Sequence, residues 1–285
     1  MASTWYSRVA RFARRKRRVI LGWIATIRRG AHLCRRAFLA VLAAPLPVRI
    51  LAATFIVFAM WLAINWGYQI IRKPTELFFP VRGALAKTQS ETWRQYGPLF
   101  NEHSTAVITP HLLAALAQIE GEGNPFAHTY WRSNLTLNPL ELYRPASSAV
   151  GMFQITDGAF RDAKRYCIHN HVVIEDGPWH DLRSCWFNGL YTRILPGHAI
   201  ELTAVLLDRG VASVMGRRRN VAVTLRQKED LAAVIHLCGA GAGDLYAARG
   251  FRLMAGQRCG DHDVGHYLAR VHAMKLEFAR LAGRN

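Results

Sequence analysis

The first 49 residues contain no aspartate and no glutamate, although they hold twelve of the 37 lysines and arginines in this chain of 285 residues. A net charge of +18 is otherwise typical of a nucleic-acid-binding protein. Residues 72–285 hold the other twenty-five basic residues and all nineteen acidic ones, which leaves them a net charge of only +6. Because two thirds of the excess lies in the N-terminal segment, we expect no nucleic-acid partner. A membrane-anchored nucleic-acid binder is kept only as an alternative.

Charged residues are also lacking between Arg49 and Arg72. The intervening residues 50–71 can form a helix of roughly 30 Å, which matches the hydrocarbon core of a bilayer. Trp66 and Tyr68 lie near the end of this run, where an aromatic belt is typical. Residues 50–71 are therefore predicted to be a single transmembrane helix.

The positive charges set the expected orientation of that helix. Because basic residues precede the span, the positive-inside rule places residues 1–49 in the cytoplasm of a bacterium, on the inner leaflet of the inner membrane. A DNA-binding arm and an organellar targeting sequence are alternative interpretations of this segment. Residues 72–107 are then a membrane-proximal connector, and residues 108–285 form a periplasmic domain.

Cysteine is scarce, with five residues in the chain. Cys34 lies on the predicted cytoplasmic side, where thiols stay reduced. The other four lie on the predicted oxidising side and allow three pairings. Closeness in sequence favours a bond between Cys167 and Cys185 and another between Cys238 and Cys259, each closing a loop of about twenty residues. Four buried thiols are the alternative.

Convincing strand alternation, internal repeats and low-complexity tracts are all absent. Apolar residues recur instead at helical spacing, so the domain is predicted to be mainly α-helical around one core. Helices are predicted over residues 90–101, 109–120, 151–164, 198–215, 225–237 and 264–281. Residues 126–147 and 167–187 are predicted to be irregular, and the glycine-rich run 239–243 to end a helix.

A carboxylate lies in the last turn of the predicted helix 109–120. Leu116 and Ile119 give Glu120 apolar surroundings, and the glycines that follow end the helix. A glycosidase needs a carboxylic acid that is still protonated near neutral pH, and apolar surroundings favour the protonated form. Glu120 is therefore a candidate acid, with Glu122 as a second candidate, and an ordinary solvated glutamate at a helix end is the alternative interpretation.

Two motifs carry a resemblance to a known family. Residues 120–125 read Glu-Gly-Glu-Gly-Asn-Pro, and residues 151–154 read Gly-Met-Phe-Gln. Over residues 108–250 the chain resembles the lytic transglycosylases and goose-type lysozymes, whose motifs are Glu-Ser-x-x-Asn-Pro and Gly-Leu-Met-Gln. The resemblance implies a lysozyme-like α-helical fold and cleavage of peptidoglycan.

In that family one glutamate performs both proton transfers. It protonates the oxygen between N-acetylmuramic acid and N-acetylglucosamine, and then accepts the proton of the muramic C6 hydroxyl as a 1,6-anhydro ring closes. The resemblance implies that Glu120 is this residue and that no cofactor is needed. It also implies that Met152, Phe153 and Gln154 line the sugar site.

The remaining candidate sugar contacts flank these motifs. The family's third motif, Ala-Tyr-Asn-x-Gly, corresponds to residues 231–241, which places His236 at the tyrosine position. Ser148 precedes the second motif. Tyr130 has a ring that could stack on a sugar face, and the same applies to Trp131, Tyr143 and Trp179.

Departures from the family pattern keep other functions open. Gly121 replaces a serine that orients the substrate, and His236 replaces the tyrosine, so a non-catalytic peptidoglycan-binding scaffold is one alternative. A hydrolysing muramidase is another, if Glu122 or Asp157 positions a water. No full set of metal ligands is evident, so we expect no metal. An enzyme tethered to the membrane would cut the wall locally, for remodelling or for insertion of a larger complex. The expected partners are peptidoglycan, the inner membrane and a secretion, conjugation or pilus complex.

Overall fold

Residues 35–36, 39–178, 180–181, 184–218 and 222–284 are described by the computed structural model. The basic segment up to residue 34, with Cys34, and the candidate sugar-stacking Trp179 lie outside these ranges. The chain divides into two compact units, Met1–Asn65 and Trp66–Asn285. It is mainly helical, which confirms the predicted fold class at that level.

Helix α1, Leu46–Arg72, contains the predicted span and begins slightly before it. It has 27 residues, and its apolar window reaches a mean hydropathy of 2.0. A helix of this length measures about 40 Å. Among the described residues it is the one helix long and apolar enough to cross a membrane.

The second unit is built largely from helices that start at well-formed caps. Thr88 and Thr224 each form a capping box, with Glu91 and Gln227 respectively, and Thr109 caps a helix whose first residue is a proline. The helices are α2 Gln89–Glu102, α3 Pro110–Gly121, α4 Asp157–Ala163, α5 Pro196–Gly216, α6 Leu225–Cys238, α7 Ala240–Ala248 and α8 Val264–Ala282. Turns of 3₁₀ helix cover Pro74–Leu85 and Asn188–Leu190.

Helix α3 lies at the centre of the core. Its residues 112–117 have no exposed surface, because α2, α5 and α8 all pack against it. Full burial of each of its leucines stabilises the fold by roughly 1.5–3 kcal/mol relative to exposure. The partners include Trp93, Phe100 and Phe278, which are also buried. The predicted helices 90–101, 109–120, 198–215, 225–237 and 264–281 are confirmed with small shifts at their ends.

The described part of the chain contains three short antiparallel hairpins, which the sequence did not predict. In the described part of the chain the paired strands are β1 Trp131–Ser133 with β2 Tyr143–Pro145, β3 Tyr166–His169 with β4 Val172–Glu175, and β5 Arg258–Cys259 with β6 His262–Asp263. The prediction that residues 126–147 and 167–187 are irregular is wrong at the first two hairpins. Strands of so few residues are too short to show an alternation of apolar and polar side chains.

Residues with positive φ lie at two predicted helix boundaries. The helix predicted over residues 151–164 begins only at Asp157, because Gly151 has φ +80° and Gln154 has φ +49°. The glycine-rich run ends α6 at Gly239, with φ +83°, but α7 begins at the next residue. The rest of the run therefore lies inside a helix.

The predicted connector, residues 72–107, is folded into the second unit. Trp93, Tyr96 and Phe100 of α2 are buried in its core. Residues 72–107 therefore help to hold the helices that follow.

Both favoured disulfides are present, Cys167–Cys185 and Cys238–Cys259, with Cα–Cα distances of 5.6 and 5.5 Å. The first ties β3 to the loop that follows β4. The second ties the last residue of α6 to β5, close to the start of α8. The two bonds thus attach the loop after β4 and strand β5 covalently to neighbouring elements.

Loss of the second disulfide is expected to destabilise the second unit. Replacing Cys238 and Cys259 together by serine should lower the free energy of unfolding by about 3 kcal/mol, because the unfolded chain regains the entropy of the open loop. Urea unfolding followed by circular dichroism measures the difference. Cys34→Ser, which removes a cysteine of neither bond, is the control. Equal urea midpoints for the double variant and the oxidised wild type would contradict the expectation.

Candidate active site

Glu120 lies in the last turn of α3, where the backbone turns sharply. Glu122 and Gly123 both adopt left-handed conformations, with φ +52° and +63°. Their N–H groups donate to the carbonyls of Gln118 and Ala117, which closes the end of the helix. The Glu120 side chain keeps 19 % of its surface exposed, so it is sheltered but can be reached from solvent.

Residues from the predicted connector hold this helix end in place. The Thr92 hydroxyl donates to Gln118 Oε1 at 2.8 Å, and Gln118 Nε2 donates to the Lys87 carbonyl at 2.9 Å. The Lys87 N–H donates in turn to the Glu122 carbonyl at 2.8 Å. A Cβ on Gly123 would lie 2.2 Å from the Thr92 hydroxyl, so glycine is required there. These contacts hold the last turn of α3, which carries Glu120, against Lys87 and Thr92.

The turn formed by residues 151–154 packs directly on the end of α3. A Cβ on Gly121 would lie 2.7 Å from the Met152 Cα, a distance that real side chains do not adopt. The Gly151 N–H donates to the Ala127 carbonyl at 2.8 Å, which fastens the turn to the loop after α3. The structure therefore brings the two motifs into contact. It also explains why glycine, rather than serine, follows Glu120 in this chain.

Burial corrects the expected role of two motif residues. Met152 and Phe153 have no exposed surface and belong to the core, so neither lines a sugar-binding surface. The reason is the close packing of the turn on α3, which points both side chains inward. Gln154 is partly exposed, and its Nε2 donates to the Gly151 carbonyl at 2.8 Å. Its side chain thus braces the turn.

Ser148 and Asp157 lie on the other side of the same turn. The Ser148 hydroxyl accepts the Asp157 N–H at 3.2 Å. The Asp157 carboxylate pairs with the Arg193 guanidinium at 2.8 Å, and Arg193 also donates to the Ser148 carbonyl. Asp157 is therefore engaged in holding the turn.

The aromatic candidates have different environments. Tyr130 is 62 % exposed and its ring is available to a ligand. Trp131 donates its indole N–H to Glu76 Oε2 at 2.7 Å, and its ring packs at a tilt against that of Tyr143, with ring centres 5.2 Å apart. Trp131 and Tyr143 thus anchor the β1–β2 hairpin.

Tyr267, on α8, makes the shortest described contact with Glu120. Its hydroxyl donates to Glu120 Oε1 at 2.7 Å, and the residue is only 5 % exposed. Burial, together with the neighbouring Glu120 carboxylate, raises the pKa of Tyr267 well above its usual range. The hydroxyl therefore stays protonated at neutral pH and remains a hydrogen-bond donor. Sequence analysis missed this residue, although a tyrosine inside an apolar helix stripe needs a partner for its hydroxyl.

His236, in the last turn of α6, lies at the same carboxylate oxygen but farther away. Its Nε2 is 3.9 Å from Glu120 Oε1, beyond hydrogen-bonding distance. The described hydrogen bond to Oε1 therefore comes from Tyr267 and not from His236. Both neighbours approach Oε1, and Oε2 has no partner among the described contacts. The Cys238–Cys259 bond links the last residue of α6, which carries His236, to β5, which precedes the Tyr267 helix α8 in the chain.

A cavity of about 600 Å³ opens beside the second motif. Ser148, Asp157 and Arg193 line it, with Lys73 and Arg144 adding positive charge. Glu120 does not line it. Within the described residues, no group of three His, Cys, Asp or Glu side chains is arranged to hold a metal ion.

A serine at position 121 should destabilise this chain. Gly121→Ser is expected to lower the free energy of unfolding by about 1–3 kcal/mol, because the new Cβ collides with the Met152 backbone. Gly241→Ser, in α7, is the matched control, since a Cβ there meets nothing within 4 Å. Urea midpoints of the two variants measure the difference. Similar midpoints for both would show that the two motifs do not approach so closely.

Stability should also fall at alkaline pH because of Tyr267. Its raised pKa means that the folded state keeps a proton that the unfolded chain releases, so its contribution is complete below the ordinary tyrosine pKa of about 10 and is lost as pH rises above it. Tyr267→Phe should lose less stability than wild type over that interval. Urea midpoints at neutral and alkaline pH, both in a Cys34→Ser background, provide the test. Equal losses in the two proteins would place Tyr267 in an exposed, unperturbed setting.

No protein-family model matches this chain, and no curated protein or solved structure matches it. Its function is therefore inferred from the residues around Glu120 and their geometry.

Proposed function

We propose that this protein is a membrane-anchored lytic transglycosylase with a lysozyme-like domain. It would cleave the β-1,4 bond between N-acetylmuramic acid and N-acetylglucosamine in peptidoglycan and form 1,6-anhydro-N-acetylmuramic acid. One observation carries the proposal: the sheltered Glu120 carboxyl has Oε1 held by Tyr267 at 2.7 Å and Oε2 without a described partner. It lies beside the turn of residues 151–154, as the family resemblance requires.

The hydrogen bond from Tyr267 determines which oxygen carries the proton. Because the hydroxyl donates to Oε1, the acidic proton of Glu120 belongs on Oε2. In the first step Oε2 gives that proton to the glycosidic oxygen, the bond from this oxygen to muramic C1 breaks, and positive charge develops on the sugar ring. The acetamido group of the substrate steadies that charge.

The second step returns the proton to the same carboxylate. Glu120 Oε2 accepts the proton of the muramic C6 hydroxyl while the C6 oxygen bonds to C1. No water is consumed, and Glu120 is protonated again. Between the two steps Glu120 is a carboxylate, and a hydrogen bond to an ionised acceptor is about twice as strong as a neutral one. Tyr267 therefore acts in the interval when the negative charge exists.

The charges around the cavity beside Ser148 are paired within the protein. Lys73, Arg144 and Arg193 line it, and they pair with Glu76, Glu141 and Asp157 respectively. Asp157 is paired with Arg193 and Glu122 is exposed at the helix end, so neither has an arrangement that favours a water-activating base. These features favour the transglycosylase over a hydrolysing muramidase.

The remaining features support a periplasmic location. Two disulfides favour an oxidising compartment, and α1 is long and apolar enough to serve as a membrane anchor. The basic residues before α1 favour a cytoplasmic N-terminus in the bacterial inner membrane. Cutting would then be confined to wall close to the membrane, which suits local remodelling or insertion of a secretion, conjugation or pilus complex.

The proposal predicts different activities for three conservative variants of the full chain. Glu120→Gln should reduce release of anhydro-muropeptides from sacculi by about 10²-fold or more, because the only acid is lost. Tyr267→Phe should reduce it by roughly 10-fold or more, the effect of one hydrogen bond to a charged group. Glu122→Gln, the control, should keep wild-type activity. Mass spectrometry of the soluble fragments measures all three.

Two outcomes would favour another function. Wild-type protein that binds sacculi but releases nothing would indicate a non-catalytic peptidoglycan-binding scaffold. Loss of activity in Glu122→Gln with full activity in Glu120→Gln would move the acid to Glu122.

A further inference from the structure

Two apolar side chains, Leu135 and Leu137, lie in the loop at the tip of the β1–β2 hairpin. Leu135 and Leu137 are each 103 % exposed. The loop that carries them, residues 134–142, is nevertheless ordered by its own polar groups. Asn138 Oδ1 accepts the Leu140 N–H at 3.0 Å, and the Asn134 N–H donates to the Leu142 carbonyl at 2.8 Å. The loop therefore holds both leucines outward.

The same loop is fastened to the end of α1 within the second unit. Gln69 Nε2 donates to the Leu140 carbonyl at 2.8 Å, and Arg72 pairs with Glu141 at 2.8 Å. Arg72 is the first charged residue after the uncharged run. Because a helix rises 1.5 Å per residue, Gln69 and the Leu140 carbonyl lie about 4–5 Å to the uncharged side of Arg72. The loop that carries Leu135 and Leu137 is thus attached, through Leu140 and Glu141, to the last turn of α1 next to the uncharged run.

A second element adds exposed apolar groups next to this hairpin. In the 3₁₀ helix Pro74–Leu85, Leu77, Phe79 and Val81 are 55, 40 and 49 % exposed. The Phe79 ring lies 5.7 Å from that of Trp131 on β1, so the two elements are packed together. We call the five exposed side chains on these elements the apolar rim: Leu77, Phe79, Val81, Leu135 and Leu137.

We propose that the apolar rim inserts into the outer leaflet of the membrane that α1 crosses. This inference rests on the proposed membrane anchoring and goes beyond it, because it gives the catalytic domain a second attachment to the bilayer. Water-exposed leucines gain free energy on entering the acyl region, as in monotopic membrane proteins. Exposed Arg132, on β1, would meet lipid phosphates at the same level.

Lipid is favoured over a protein partner by the position of the rim. The contacts of Gln69 and Arg72 fix the hairpin beside the membrane exit of the chain, where lipid is the surrounding solvent. Two attachments would also restrict rotation of the domain about α1. Glu120 would then work at a set height above the membrane.

Spin labels on the full chain in lipid nanodiscs test this inference. In a Cys34→Ser background, one label is placed at Leu135→Cys. A second is placed at Val172→Cys, which is 62 % exposed on β4 and is the matched aqueous control. A third at Val57→Cys, inside α1, reports on the span itself. Collision with oxygen and with an aqueous nickel complex is measured for each label.

The expected result is that the Leu135 label collides with nickel several-fold less than the Val172 label and collides more with oxygen. A Leu135 label as accessible to nickel as the Val172 label, with the Val57 label in lipid, would overturn the inference and leave the anchor intact. A Leu135 label shielded from both reagents would overturn it in favour of a protein partner. A Val57 label in water would show that the span, and with it this inference, is wrong.

Discussion

The candidate site depends on how closely the Gly121 backbone approaches that of Met152. A side chain at position 121 would collide with that backbone, since its Cβ would lie 2.7 Å from the Met152 Cα. The approach brings the end of α3 and the turn of residues 151–154 together, buries Met152 and Phe153, and leaves Glu120 at the edge of the core. A catalytic carboxyl gains from such a position, because it is sheltered from bulk water yet remains within reach of substrate.

Support for this arrangement comes from distant parts of the chain. Lys87 and Thr92 hold the end of α3 from one side, through a buried hydrogen-bonded chain that includes Gln118. From the other side α8 brings Tyr267 to the carboxylate, and the Cys238–Cys259 bond links the end of α6 to the approach to α8. The site therefore needs the whole second unit to be folded. The Cys238–Cys259 bond therefore contributes to the geometry of the candidate site.

Sequence was sufficient for the parts that depend on local signals. Caps and apolar spacing predicted the helices that contain Glu120, His236 and Tyr267, and nearness in sequence predicted both disulfides. Contacts between distant residues could not be predicted in this way. Tyr267 is 147 residues from Glu120 and lies in an apolar stripe of its helix, so the sequence did not indicate their contact. The motif around Met152 identified the residues of the turn, but it could not show that Met152 and Phe153 are buried. The hairpins were too short to show an alternation, so the exposed tip of the first was also missed.

The central claim is that Glu120 performs both proton transfers without consuming water. Digestion of sacculi by the full chain in water enriched in oxygen-18, followed by mass spectrometry of the released fragments, tests it most directly. The account predicts anhydro-muropeptides that contain no oxygen-18, because the C6 oxygen of the substrate closes the ring. Reducing-end muropeptides that carry oxygen-18 at the cleaved carbon would contradict it and would establish a hydrolase.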